Sequence, residues 1–421
     1  MKVLILTDYF PPEVGGASHL MADVSAGLAR RGHEVTVATG MPRYNLPATP
    51  PAYRRKLRVR EDYKGARVIR TLGSPLYGRL PFVRGLSHIL SGVAHFMGGL
   101  AAPKADVIFS LSPPLAEGVA GHFLRRLRGG VLVLNVQDIF PQNAIDLGVL
   151  RSRLAIRFFE AMERFVYRRA DLVVVHSHGN RSFLVERKNV PPDKVLAVPN
   201  WVDTEALKPG PKENAFRREH GLDGRFVVTF AGVMGWSQGL DVIVEAAAGL
   251  SELPGVIVVF VGDGVEKARL EEKVQQMGLS NVRFLPMQPR ERYALVLDGS
   301  DVCLVTLRPD VTTPVVPSKI LSAMAAGRPV VASVPLEGDA PALIEEAGCG
   351  LSVPAGDGKA LSAAIRRLYE DRGLALRMGE SGRRAAETVY SLESCLRTYE
   401  TLFERLMAAT RGRQADPEAR A

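Results

Sequence analysis

At 421 residues, with 46% hydrophobic and 24% charged side chains, the chain is too long for one core and has the material for two, each of about 150 to 200 residues. Its net charge of +9 is uneven: residues 1–200 hold 28 lysines and arginines against 15 acids, and residues 201–421 hold 26 against 30. Three scattered cysteines (Cys303, Cys349, Cys395) exclude a disulfide framework, and with no leader-like segment or apolar run of roughly 20 residues the reading is of a cytoplasmic protein.

The first predicted strand, residues 3–7, runs into Asp8-Tyr9-Phe10-Pro11-Pro12-Glu13 and then Gly15-Gly16, where a helix carrying Leu20, Met21, Val24 and Leu28 begins. Ligands of open α/β sheets gather at the carboxyl ends of strands, and Gly15 and Gly16 let a phosphate or sugar approach the backbone unobstructed; a plain glycine turn is the alternative. This is not the GxGxxG fingerprint, and no acid ends the second predicted strand, 34–38, so a nicotinamide cofactor is disfavoured. Arginines cluster at 54–60, 125–128, 151–157 and 168–169. Such a half suits an anionic membrane surface or a phosphate-bearing substrate, or is simply solvated; nucleic acid is disfavoured for want of interleaved aromatics or a known module. Two helical stripes, Leu86-Ile89-Leu90-Val93-Phe96-Met97-Leu100 and Leu154-Phe158-Met162-Phe165, read as core packing or, with Arg79, Arg84, Arg151 and Arg153 beside them, as membrane-surface contacts.

Further strands are predicted at 67–70, 107–111, 131–136 and 172–176. The strand 131–136 leads through Gln137 to Asp138, a candidate for orienting an acceptor hydroxyl or, alternatively, a helix cap. His176 and His178 follow a strand, but their spacing does not oblige them to share a site. The passage from Pro199-Asn200-Trp201 to Lys208-Pro209-Gly210-Pro211-Lys212 reads as an interdomain linker.

The second half repeats the scheme, with strands at 226–231, 256–261, 282–285, 302–306 and 329–332. Gly232 to Gly239, including Gln238, follows the first of these, and Gly262-Asp263-Gly264 the second. Val316-Pro317-Ser318-Lys319 then opens a helix that Gly327 and Pro329 end. Ser318 is expected to cap that helix, and Lys319 adds a full charge to the partial positive charge of its first turn, as a phosphate site needs. The two glycine loops and the Lys319 helix entry, with Arg308 a weaker candidate, would surround one diphosphate.

In order and spacing these segments resemble the retaining nucleotide-sugar glycosyltransferases of family 4, which have the GT-B fold. Within them, Val316-Pro317-Ser318-Lys319 and Asn135 to Pro141 are similar to the fucosamine-type transferases of bacterial O-antigen and exopolysaccharide assembly. The resemblance implies an α/β protein of two Rossmann-like, doubly wound parallel-sheet domains facing a central cleft. Residues 1–200 would bind the acceptor, 201–385 the donor, a helix at 386–410 would pack back toward the first domain, and 411–421 would be a disordered tail. It implies a UDP-sugar donor, an amino or deoxy sugar such as N-acetylfucosamine, and a polyprenyl-diphosphate-linked acceptor met by a cytoplasmic, membrane-peripheral enzyme. Asp138 and Lys319 are the candidate catalytic residues; Gly15, Gly16, Gly232, Gln238, Gly262, Gly264, Arg308, Pro317, Ser318 and Lys319 are the candidate donor site. No Asp-x-Asp motif occurs, so no metal or other cofactor is expected. The chain departs from the pattern at Pro314 and Ser322, where many members carry two glutamates eight apart, and at Gln238, where a lysine is usual. Those departures keep open a catalytically silent nucleotide-sugar-binding scaffold and a UDP-sugar epimerase.

Overall fold

The computed structural model describes residues 1–415 apart from 14, 44–45, 47, 73–80, 147 and 312. The chain forms two compact units, one of Met1–Asn200 with Leu392–Ala421 and one of Trp201–Ser391. In the first unit, apolar runs become eight strands: β1 Lys2–Leu6, β2 Glu34–Gly40, β3 Arg58–Tyr63, β4 Ala66–Thr71, β5 Val107–Ser112, β6 Val131–Val136, β7 Leu172–Val175 and β8 Val195–Ala197. Their order is β3-β4-β2-β1-β5-β6-β7-β8, parallel throughout except for the β3–β4 pair. Every residue of β5, β6 and β7 is buried, as continuous hydrophobic strands must be when helices cover both faces of a parallel sheet.

β3 was not expected, because Arg58-Val59-Arg60-Glu61-Asp62-Tyr63 carries charge where a core strand carries valine. It is the sheet's edge, alternating exposed and half-buried residues, and charge on an edge strand discourages pairing with other chains. The C-terminal helix, Leu392–Ala415, joins this unit and runs past the expected end at 410; the rest of the expected tail lies outside the described residues. Tyr399 and Phe403 pack edge-on against Phe109 of β5, with ring centroids 5.2 and 5.8 Å away. Arg31 and His33 hold Glu400, the His33 contact at 2.7 Å.

The second unit has six parallel strands: β9 Phe226–Ala231, β10 Val256–Val261, β11 Val282–Leu285, β12 Val302–Thr306, β13 Val330–Val334 and β14 Gly350–Pro354. They stand in the order β11-β10-β9-β12-β13-β14. This is the doubly wound order, and it reverses between β9 and β12, as the first sheet reverses between β1 and β5; a crevice for ligand opens outside the strand ends at such a point. β14, half-buried and bounded by Gly350 and Pro354, lacks the apolar run that marks its neighbours. The expected linker is instead packed structure of the second unit. Trp201 and Val202 are buried, Gly210 N donates to Asp298 Oδ1 at 2.9 Å, and Lys212 pairs with Asp301. The three cysteines are free and buried.

Candidate functional site

In the second unit, loops leave the carboxyl ends of β9, β10 and β12 around the switch point. The β9 loop contains a 3₁₀ turn, Trp236–Gln238, closed by Gly239 at φ 60°. Met234 N donates to Asp263 O at 2.8 Å and Arg308 N to Ser237 O at 3.1 Å, so the loops after β10 and β12 are both bonded to the β9 loop. Gly262 and Gly264 lie along that seam, and a Cβ on Gly262 would collide with the carbonyl of Gly232.

Lys319 is the second residue of the helix Ser318–Ala325. Its Nζ donates to Gln238 Oε1 at 3.1 Å and lies 5.0 Å from the centroid of the Phe230 ring. A Cβ on Gly232, which has φ 140°, would stand 2.6 Å from Lys319 Cε, so only glycine lets the lysine lie across this loop. Half-buried and crowded by protein, the ammonium has no carboxylate paired with it among the described residues. Desolvation alone pushes its pKa down to about 8. Arg308 stands nearby, stacked 3.5 Å over the Trp236 ring and bidentate to Asp310 at 2.8 Å. The expected cap is corrected: Pro317 holds the N-cap position and no side chain caps the helix. Ser318 is its first residue, exposed, and its carbonyl accepts from Ser322 Oγ at 3.4 Å. Ile320 N already donates to Pro317 O at 3.0 Å, so the first-turn donors open to a ligand are the N–H groups of Ser318 and Lys319.

The remaining candidates, Gly15, Gly16 and Asp138, belong to the first unit. The loop from β1 to Gly15 is clamped from two sides. Glu13 accepts from Phe10 N at 3.3 Å and Arg43 N at 2.6 Å, while buried Arg70 binds Glu61 Oε1 at 2.6 Å, Gly40 O at 3.1 Å and Pro11 O. Gly15 precedes the helix Gly16–Arg30 in extended backbone, and a Cβ on Gly16 would enter open space. Asp138, after β6, is reached by solvent yet crowded at its sides; desolvation pushes its carboxyl up and the charge of His176 pushes it down. His176 is buried, its Nε2 3.0 Å from Gln137 O, whereas His178 is exposed, so the two do not form one site.

The sequence reading missed the group at the end of β1. His88 Nδ1 is 3.0 Å from Asp8 Oδ2, His95 Nε2 is 3.9 Å from Asp8 Oδ1, and His95 Nδ1 is 2.6 Å from Glu117 Oε1. Burial would raise the Asp8 carboxyl, but the His88 bond and the His95 charge hold it below its usual range. Burial raises Glu117, and the carboxylates around His95 overcome burial to raise the imidazole, so this pair grips its proton. Asp8, His95 and Glu117 have the mutual spacing a cation would need, within 4.8 Å; the 2.6 Å bond between His95 Nδ1 and Glu117 Oε1 already uses one atom of each, while His95 Nε2 and Glu117 Oε2 are buried without a hydrogen-bond partner among the described residues. The signal was present: His88 and His95 are seven residues apart, two turns of one helix face, and Asp8 follows the first strand.

Three helices of this unit, Pro81–Leu100, Leu115–Arg128 and Arg153–Arg169, carry an unusual outer face. Leu90, Val93 and Met97 are exposed on the first, Phe123 and Leu127 on the second, Leu154 and Phe158 on the third. The fully exposed charged residues described on these helices are arginines, Arg126, Arg153, Arg157, Arg164, Arg168 and Arg169. The two stripes are therefore split: Phe96, Met162 and Phe165 face the core, Ile89 is half-buried, and Leu90, Val93, Met97, Leu100, Leu154 and Phe158 face out. The flanking Arg79 lies outside the described residues. No described helix is long and apolar enough to cross a membrane.

Two family profiles match the chain, "Glycosyl transferase 4-like domain" over residues 15–201 and "Glycosyl transferases group 1" over residues 212–385. WcaI of Escherichia coli K12, a glycosyl transferase assigned to colanic acid biosynthesis, is 28% identical over 344 residues, 78% of this chain and 82% of its own. Among solved structures, sucrose-phosphate synthase from Thermosynechococcus elongatus superposes with a TM-score of 0.77 at 22% identity, covering 97% of this chain and 99% of that one. HepE from Anabaena, solved in complex with UDP, gives 0.73 at 19% identity, covering 96% and 100%.

Proposed function

This chain belongs to the family 4 glycosyltransferases of the GT-B fold, and we propose that it serves bacterial polysaccharide biosynthesis and takes its sugar from a UDP-sugar bound by the second unit. The observation that carries the reading is Lys319, a desolvated cation laid across a glycine loop at the switch point of the second sheet. A cation held in place, with the first-turn N–H groups beside it, offsets the charge that grows on a diphosphate as the bond to the sugar breaks, and needs no reorganisation to do so. UDP as the nucleotide is supported by HepE, whose structure holds UDP, and by the fucosamine-type resemblance; the transfer proceeds with retention and without a metal ion.

The acceptor is a saccharide on a polyprenyl diphosphate, bound by the first unit, with Asp138 orienting its hydroxyl. The arginine-rimmed apolar face of the first unit supports peripheral contact with an anionic membrane, on its cytoplasmic side, because such a face gains both apolar burial and charge attraction there. The test is thermal stabilisation by UDP, GDP, ADP and TDP with and without chelator. A selective shift with UDP that survives chelation is expected. A shift only with another nucleotide removes the UDP assignment, and a shift that needs Mg²⁺ or Mn²⁺ removes metal independence.

A further inference from the structure

The group at the carboxyl end of β1 leaves polar atoms unanswered inside the first unit. His95, on the helix Pro81–Leu100, is fully buried; its Nδ1 is bonded to Glu117 Oε1 at 2.6 Å, and its Nε2 has no hydrogen-bond partner among the described residues. Glu117, on the helix Leu115–Arg128, is buried as completely, and its Oε2 also lacks a partner among them. His95 Nε2 faces Asp8, whose Oδ1 is 3.9 Å away and whose Oδ2 is 3.0 Å from His88 Nδ1. The residue of β2 beside that nitrogen is Gly40, where even a methyl group would stand 3.4 Å from it.

A gap of 3.9 Å between a carboxylate oxygen and an imidazole nitrogen is too long for a hydrogen bond, which needs about 2.7–3.2 Å. It is a separation that two ligands of one ion adopt: with bonds of about 2.0–2.2 Å, such atoms stand roughly 3.3–4.2 Å apart. The bond from Nδ1 to Glu117 fits the same reading, because a metal-bound histidine gives its other N–H to a carboxylate, and that fixes the tautomer whose Nε2 lone pair faces the metal. We propose that Asp8 and His95 bind one divalent transition-metal ion between Oδ1 and Nε2, with Glu117 and His88 orienting the two ligands. Imidazole and carboxylate donors together suit zinc. Asp8 is half-buried, and His88 lines a hollow of about 410 Å³, so the ion has a way in and water completes its coordination from that side. Once bound, it ties the end of β1 to the helix Pro81–Leu100 and, through Glu117, to the helix Leu115–Arg128. The proposal concerns the first unit alone and does not rest on the donor or the acceptor assigned above.

The experiment strips the full chain with chelator, dialyses it, equilibrates it with Zn²⁺ alone and counts bound metal by plasma mass spectrometry; Co²⁺ then replaces Zn²⁺ for its visible spectrum. One zinc per chain is expected, with a melting temperature that rises with free zinc, and a Co²⁺ spectrum of nitrogen and oxygen ligation without a thiolate band. His95→Gln and Asp8→Asn should each abolish binding. Glu117→Gln should weaken it about 10–100-fold, the usual effect of losing an outer carboxylate. His178→Ala, at an exposed histidine, should leave it unchanged. Should His95→Gln not fold, Asp8→Asn at its half-buried side chain decides, with folding checked by circular dichroism. Removing the zinc should lower the baseline melting temperature and leave the UDP-induced shift as it was.

A wild-type chain that holds no zinc after dialysis would overturn the proposal. Zinc retained at full stoichiometry by Asp8→Asn, or a thiolate band with Co²⁺, would put the metal on other histidines or on the cysteines and overturn it too.

Discussion

The strand ends of the two sheets are built on opposite electrostatic plans. At the end of β1 the acids have answering imidazoles: half-buried Asp8 is paired with His88, and Glu117 with His95 deep inside the first unit. At the ends of β9, β10 and β12, Lys319 has no carboxylate partner among the described residues, and its Nζ donates to the neutral Gln238. A site that has cancelled its own charges is rigid and has nothing left to offer a diphosphate, whereas one that carries a desolvated ammonium is completed by an anion. The contrast is why the donor is assigned to the second unit, and it separates residues that hold the fold from residues that wait for ligand.

Breaking the first plan should have the largest effect. Glu117→Ala leaves the buried His95 imidazole without its carboxylate, and removing one partner of a buried pair costs about 3–5 kcal/mol of stability. Urea unfolding should show that loss; a change below roughly 1 kcal/mol would mean the pair is not the internal brace described here. Lys319→Ala should do the reverse. Removing a desolvated charge leaves ligand-free stability unchanged or raised, while UDP binding weakens by about 1.5–3 kcal/mol, the contribution of a charge-assisted phosphate contact. If UDP affinity survives the substitution, the second plan is wrong.

The pH dependence sharpens the same contrast. With its pKa lowered to about 8, free Lys319 loses its proton in a range where an unfolded lysine keeps it. Between that value and the ordinary lysine value the unfolded chain binds more protons, so this residue's contribution to ligand-free stability rises with pH. UDP has the opposite sign, because a diphosphate favours the ammonium and its binding takes up a proton above pH 8. Affinity should be level below about pH 8 and then fall, approaching tenfold per pH unit, as measured by titration calorimetry. Lys319→Arg should flatten the fall, since a guanidinium stays charged.

Much of the scaffold was legible because buried parallel strands are written as apolar runs: β6, β9, β10, β11 and β12 have the limits read from the sequence. The strands that escaped were those at the margins. β3 has the composition of a solvated edge, β8 is only three residues long, and β14 is only partly buried. Lys319 with Gly232 and Gln238 could be anticipated because they lie in the β9 loop and at the helix entry that follows β12, and topology brings both to one end of the sheet. The Asp8 group could not be built in the same way, since His88, His95 and Glu117 lie on helices whose packing angle no local pattern specifies. Cap assignment failed at Ser318 for a smaller reason, that Pro317 with its fixed φ took the capping position one residue earlier.

The smallest expected effect tests how far the second plan extends. Arg308 looks like a further diphosphate ligand by position, and a Cβ on Gly239 would stand 3.1 Å from its Cγ. Its guanidinium, however, is already stacked on Trp236 and bidentate to Asp310, so recruiting it to a phosphate would break contacts of the same kind it would make. Exposed ion pairs of this sort contribute about 0–1 kcal/mol, so Arg308→Ala should change UDP affinity by less than roughly fivefold. Asp310→Asn should tighten binding slightly by freeing the arginine. A loss with Arg308→Ala as large as that with Lys319→Ala would mean the arginine leaves Asp310 on binding, and the cradle would then hold two working cations instead of one.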